Sequence, residues 1–328
     1  MMNFRIAAAI ICFTFASSFG IIAQDDHAGH HPEPVARPAN AGKITGVLLL
    51  AHGGKETWNE EVRKIAAAVN KTTPVEVAFG MATKRNIQNA ADNLVRRGAA
   101  EIVAVPLFVS SHSSVITSTE YLLGLRKDAP AALAIFAKMD HGHGGHDQHT
   151  SEDTKLDPTT PINSAVPIRM TPALNRHYLV AEILSSRAAA ISREPLKEVV
   201  VIVAHGPVSD QENSKWLADM EVLAKQMADK HEFKRIEYLT VRDDAPEAIR
   251  SSATGDLRRI AEKAVAEGNS VLIVPLLLSY GGIEEGVKKR LEGIPYRITG
   301  QGLLPDERLA QWVIESIGEA GNGVKPRH

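Results

Sequence analysis

The sequence predicts an α/β protein of two tandem domains, each a small parallel sheet flanked by helices, and three observations lead there. An apolar run, Val47 to Ala51, closes on His52-Gly53-Gly54, and the same figure returns as Val201 to Ala204 followed by His205-Gly206-Pro207. A second run, Val103-Ala104-Val105-Pro106-Leu107-Phe108-Val109-Ser110, matches Leu272-Ile273-Val274-Pro275-Leu276-Leu277-Leu278-Ser279 position by position, proline included. The chain has 328 residues, more than one hydrophobic core ordinarily supports, so a duplicated unit reads as two domains.

Short continuous apolar runs bounded by glycine mark strands covered on both faces, as in parallel sheets. Ligands of such sheets bind beyond the carboxyl ends of the strands. His52 and His205 therefore stand where a ligand would arrive, and the glycine after each lets the backbone turn without a Cβ in the way.

Taken in order, Val47 to Ala51 is a strand, and Glu60 to Asn70 is a helix by the spacing of Val62, Ile65 and Val69. Val75 to Phe79 alternates as a second strand, Ile87 to Arg97 is a helix ended by Gly98, and Ile102 to Val109 is a third strand. The second half repeats this with strand Val199 to Ala204, helix Trp216 to Lys230, strand Ile236 to Val241, helix Leu257 to Glu267 and strand Val271 to Leu278. Asn175 to Ile191 is expected to close the first domain as Glu307 to Ile317 closes the second.

Aligning the halves exposes an insertion at about 131–165 in the first, read as a His-rich loop carrying His141, His143, His146 and His149 beside Asp140 and Asp147. Its roots are expected at the amino ends of the strands, away from His52, and it is expected to gather metal rather than to catalyse. Deleting 131–165 should leave the fold intact, and deleting 138–149 should lower metal stoichiometry by at least one while turnover at saturating metal stays near normal.

Ahead of the first strand, one basic residue and the apolar run Ile6 to Phe19 read as a secretory signal peptide over 1–23, followed by a His/Pro-rich leader over 24–43. The domains then run 44–192 and 193–320, with a tail at 321–328. Export, to the periplasm, and no membrane span after signal removal are the expectations. Cys12, the only cysteine, lies in the segment to be removed. That leaves imidazole and carboxylate as ligands for a borderline divalent cation. The net charge of −2 and the lack of a basic stripe argue against nucleic acid as a partner.

Strand one and the third strand are expected to be neighbours, about 4.8 Å apart, so His52 and His112 could reach one divalent cation from adjacent strand ends. Other coordination positions would stay open for water or substrate, with the serines around His112 orienting the ligands. A hydrolase using the His52-Gly53-Gly54 turn is disfavoured, because no Gly-x-Ser-x-Gly elbow is present.

The duplicated pattern of apolar strand, His-Gly turn and Val-Pro-Leu-Phe-Val strand followed closely by a histidine resembles the class II chelatases, in particular the sirohydrochlorin cobalt and iron chelatases. The likeness covers roughly residues 44–320 apart from the insertion. It implies two chelatase-like α/β domains and insertion of a divalent metal, cobalt or ferrous iron, into a tetrapyrrole, with nickel and zinc open as alternatives and no organic cofactor. It also implies that His52 and His112 bind the metal and accept pyrrole protons. The family's usual Gly-x-His is Ser110-Ser111-His112 here, and the second half has Ser279-Tyr280-Gly281 with no histidine. One working site is therefore expected on the first domain, with His205 or Glu284 contributing from the second. Glu120 is a candidate proton relay, and Lys84, Arg85 and Arg242 are candidates to pair with substrate carboxylates. The alternative is an exported metal- or tetrapyrrole-binding protein that keeps the fold without turnover.

Overall fold

The computed structural model describes residues 43–140 and 157–322. The predicted signal peptide, the leader up to residue 42, the loop histidines from His141 to His149 and the last six residues lie outside the described residues.

Two four-stranded sheets form, all parallel. In the first, β1 (Thr45–Ala51) lies between β2 (Val75–Phe79) and β3 (Glu101–Leu107), with β4 (Ile168–Met170) outside β3. In the second, β5 (Glu198–Ala204) lies between β6 (Arg235–Thr240) and β7 (Ser270–Leu276), with β8 (Arg297–Ile298) outside β7. The predicted adjacency of the first and third strands is observed, with Ala51 opposite Leu107 and Ala204 opposite Leu276.

The repeated proline has a structural reason. Ile102 donates to Pro167 and Ala104 accepts from Thr171, so the even positions of β3 face β4, and Pro106 would be the next donor in that ladder. Proline has no N–H, and the ladder stops there. Pro275 stands at the same place in β7, after Ile273 accepts from Thr299.

The helices are α1 (Glu56–Val69), α2 (Lys84–Arg96), α3 (Ser114–Leu122), α4 (Ala131–Asp140), α5 (Tyr178–Ile191), α6 (Asp210–Ala228), α7 (Glu247–Ala266), α8 (Ile283–Arg290) and α9 (Arg308–Asn322). In α1 the buried residues are Val62, Ile65, Ala66 and Val69, and in α2 they include Ile87, Ala90, Ala91 and Leu94. Both sets follow the i, i+3, i+4, i+7 spacing that gives a helix one apolar stripe.

Alternation along the strands divides the core. Val47, Leu49, Ala51, Val103, Val105 and Leu107 join α1, α5, α6 and α9, and also Val200, Ile202, Ala204, Leu272 and Val274 of the other sheet, in one continuous apolar core. The opposite faces carry separate cores, Leu48, Leu50, Ile102 and Ala104 against α2 and α4, and Val199, Val201, Val203 and Ile273 against α7. Each fully buried Val or Leu contributes about 1.5–3 kcal/mol, so a shared inner core binds the halves tightly.

Three expectations are corrected. The closing helices are exchanged: α9 packs on α1 and β3 of the first half, while α5 packs on α6 and β7 of the second. Sequence order suggested the opposite, because it cannot show which half a terminal amphipathic helix will cover. Part of the 131–165 segment is also not loop, since α4 buries Leu133 and Phe136 against Leu48 and Ala104. Finally, the described residues flanking 141–156 lie toward the carboxyl ends of the strands. Phe136 of α4 lines a pocket with His52, and Asp157 and Thr160 bond Lys84 at the start of α2. The added helix returns the chain to that edge, which the comparison with the shorter second half could not reveal.

Candidate active site

The two His-Gly turns are built alike. Gly53 has φ 77° and Gly206 φ 74°, a left-handed conformation that suits glycine. A Cβ on Gly206 would come within 2.4 Å of the Thr240 side chain, and one on Gly53 within 3.2 Å of Phe79. In each turn the imidazole folds back on the following residue: His52 Nδ1 lies 2.6 Å from the Gly53 carbonyl and His205 Nδ1 lies 2.9 Å from the Gly206 carbonyl. A carbonyl only accepts, so Nδ1 carries the hydrogen and Nε2 presents its lone pair outward. That is the tautomer a metal ligand or a base requires.

His52 and His205 line one cleft of about 790 Å³ between the halves. Such a volume is in the range of small-molecule sites, about 300–1,000 Å³. Trp58 at the start of α1 and Trp216 on α6 also line it, together with Phe108, Val109 and Leu278. The Trp58 ring is 5.7 Å from the His52 ring. The walls are thus aromatic and aliphatic with two imidazoles among them, a surface suited to a flat unsaturated ring system.

The two histidines differ in their surroundings. His205 Nε2 lies 3.5 Å from Asp244 Oδ2. At His52 the turn is held instead by Asn59, whose Oδ1 accepts from Gly54 N at 2.9 Å and whose Nδ2 donates to Gly54 O at 3.2 Å.

His112 is half-buried in the turn that leads into α3, where Ser113 caps the helix. Its flanking residues Ser110, Ser113 and Ser114 line the cleft, but its own ring is not part of that wall and faces Asp219 of α6, with Nε2 4.0 Å from Oδ2. The structure therefore brings His52 and His205 to one cavity, and places His112 beside it. Among the described residues, no three His, Cys, Asp or Glu side chains stand together as a metal-holding group.

The charged candidates have other work. Glu120 lies near the far end of α3, 3.9 Å from Arg126, and a rise of about 1.5 Å per residue carries it down the helix away from His112. Lys84 is buried, its ammonium donating to the Asp157 carbonyl at 2.8 Å and the Thr160 hydroxyl at 2.5 Å, and burial lowers its pKa. Arg85 follows it on α2. Arg242 is buried, donates to the Pro207 carbonyl at 3.0 Å and to Val208, and pairs with Asp210 at 2.6 Å, so it braces the turn after His205. Glu284 is buried at the start of α8, where its Oε2 accepts from Gly281 N at 2.9 Å and Gly282 N at 2.7 Å. It caps its own helix and is absent from the cleft wall.

Sequence reasoning missed Trp58, Trp216, Asn59 and Asp244. A signal for the first two exists, since each lies on the helix that follows a His-Gly turn, while the third tryptophan, Trp312, is buried in the shared core.

The CbiX family model matches residues 46–191. The sirohydrochlorin cobaltochelatase of Saccharolobus solfataricus is 33% identical over 87 residues, 26% of this chain and 68% of that protein. That of Sulfolobus acidocaldarius is 39% identical over 70 residues, covering 21% of this chain and only 57% of the relative's length. Among solved structures, SirB from Bacillus subtilis with Fe3+ superposes with a TM-score of 0.57 at 15% identity, over 85% of this chain and 98% of SirB. At that identity the likeness concerns the fold, and it extends across both halves.

Proposed function

The chain belongs to the class II chelatase family that the CbiX model represents, and on that premise we propose that it inserts a divalent metal, cobalt or ferrous iron, into a tetrapyrrole such as sirohydrochlorin held in the cleft. The observation that carries this reading is the pair of imidazoles, His52 and His205, each with Nδ1 tied to the next carbonyl and Nε2 left for chemistry in one cavity. Insertion needs the metal stripped of water, two pyrrole N–H protons removed and the macrocycle held flat. His52 Nε2 displaces a water from the incoming ion. Turning away from Asp219, His112 completes the pair of protein ligands while water fills the other positions. Trp58 and Trp216 bracket the ring, and His205 beside Asp244 accepts pyrrole protons, a role for which a carboxylate partner suits an imidazole.

Export to the periplasm is part of this proposal, resting on the apolar run Ile6 to Phe19. Among the described residues, no helix is long and apolar enough to cross a membrane. A second reading, an exported binding protein without turnover, is favoured by the position of His112 outside the cleft wall. Anaerobic mixing of the purified chain with sirohydrochlorin and Co2+ or Fe2+, followed by absorbance, separates the two. Acceleration over the protein-free rate supports the chelatase. Tight binding of metal or macrocycle without acceleration supports the carrier.

A further inference from the structure

We propose that a second pocket beside His52 seats a carboxylate-bearing arm of the macrocycle, an inference that rests on the chelatase reading above. The pocket has a volume of about 640 Å³ and shares His52 and Met81 with the cleft, so a ring in the cleft can extend a substituent into it. Its wall carries the rings of Phe79 and Phe136, which suit methylene groups, and the polar side chains of Asn59, Thr83 and Asn86.

The polar groups favour an anion. Asn86 Nδ2 donates one hydrogen to the Phe79 carbonyl at 2.7 Å, and an amide nitrogen has a second. The Asn59 amide is already engaged by the Gly54 carbonyl and the Glu56 carboxylate. Thr83 is the N-cap of α2, yet its side chain makes no capping bond, so its hydroxyl is available to a ligand. Among the described residues, no Asp or Glu lines the pocket. The next residue, Lys84, has a buried ammonium that bonds the Asp157 carbonyl and the Thr160 hydroxyl, and the nearby Asp157 carboxylate offsets part of its charge. Among the described residues, a divalent cation would find one imidazole in this wall. An acetate or propionate arm would find the Asn86 amide and the Thr83 hydroxyl as donors, and an apolar sleeve for its stem.

The test titrates the full chain with metal-free uroporphyrin, whose eight peripheral carboxylates make it a fluorescent probe, and compares Thr83→Asp with Thr83→Asn. Both residues are favoured N-caps, so both variants keep α2, and they differ in charge at one site in the pocket. Repulsion between carboxylates a few ångströms apart predicts a Kd about tenfold higher for Thr83→Asp than for Thr83→Asn. Equal affinities overturn the inference. Should either variant fail to fold, Asn86→Asp against Asn86→Leu decides by the same ratio. If the wild-type chain binds neither uroporphyrin nor sirohydrochlorin, the chelatase reading itself fails, whereas wild-type binding with unchanged variants removes the arm-binding pocket alone.

Discussion

Trp216 of α6, in the second half, donates its indole N–H to the backbone carbonyl of His112, in the first half, at 2.8 Å. One turn further along the same helix face, Asp219 stands 4.0 Å from the His112 ring. The second half thus anchors the backbone of a histidine that lies 104 residues earlier in the chain. The second half is in this way a support for the first.

Trp216→Phe tests that support, because it keeps a large ring in the cleft wall and removes the donor. A net hydrogen bond contributes about 0.5–1.5 kcal/mol, so the melting temperature should fall by only a few degrees. Metal insertion should fall several-fold with little change in KM for the macrocycle, as expected when a ligand is displaced and not lost. Normal turnover in this variant would show that His112 needs no anchoring.

His52→Ala should abolish insertion, whereas His205→Ala should leave a measurable fraction, since water can accept pyrrole protons but cannot replace a protein ligand to the metal. Direct Co2+ titration distinguishes the roles: His52→Ala loses the high-affinity ion and His205→Ala retains it. The reverse ranking would move the metal into the second half.

Much of this was legible in the sequence, and the particular residues show why. His52 and His205 were readable because a strand end, a turn and a glycine requirement are all local, and the φ values of Gly53 and Gly206 confirm that local reason. The strand runs and their adjacency were readable because apolar continuity and a proline at the same strand position recur in both halves. Arg242 and Glu284 bond backbone groups beside their turns, and a charge near a strand end looks the same in sequence whether it meets substrate or braces a turn. The exchange of α5 and α9 was illegible for a related reason: an apolar stripe shows that a helix will be covered, not by which half.

The exchanged helices also carry a pH response. His177 caps α5, accepting from Leu179 N, with Nε2 3.5 Å from Glu315 of α9. Burial lowers its pKa below the ordinary value of about 6.5, against the opposing pull of Glu315 and Glu319. The unfolded chain therefore binds a proton more readily than the folded one. The stability linked to His177 is present above the unfolded value and is lost as pH falls through the folded one. Between pH 7 and 5 the wild-type melting temperature should decline, and His177→Asn, which keeps a favoured cap, should flatten the decline. A parallel decline in both proteins would assign the effect elsewhere.

The exchange predicts, finally, that residues 43–192 will not fold alone, although they contain the whole first sheet. Without α9 the inner faces of β1 and β3, with Val47, Leu49, Val103 and Val105, and the stripe of α1 lose their cover. Leu179, Ile183 and Leu184 of α5 lose α6 and β7 at the same time. Arg187 adds a polar latch: its guanidinium reaches the Gly302, Leu303 and Pro305 carbonyls at 2.9, 3.3 and 2.8 Å, just ahead of α9. Uncovering several large side chains at about 1.5–3 kcal/mol each exceeds the roughly 5–15 kcal/mol by which a domain is ordinarily stable. The fragment should bind a hydrophobic dye and melt without a cooperative transition, while the chain from residue 43 onward should melt in a single calorimetric peak. A cooperative, dye-free fragment, or two separate peaks in the longer chain, would mean that the shared core contributes far less than its burial implies.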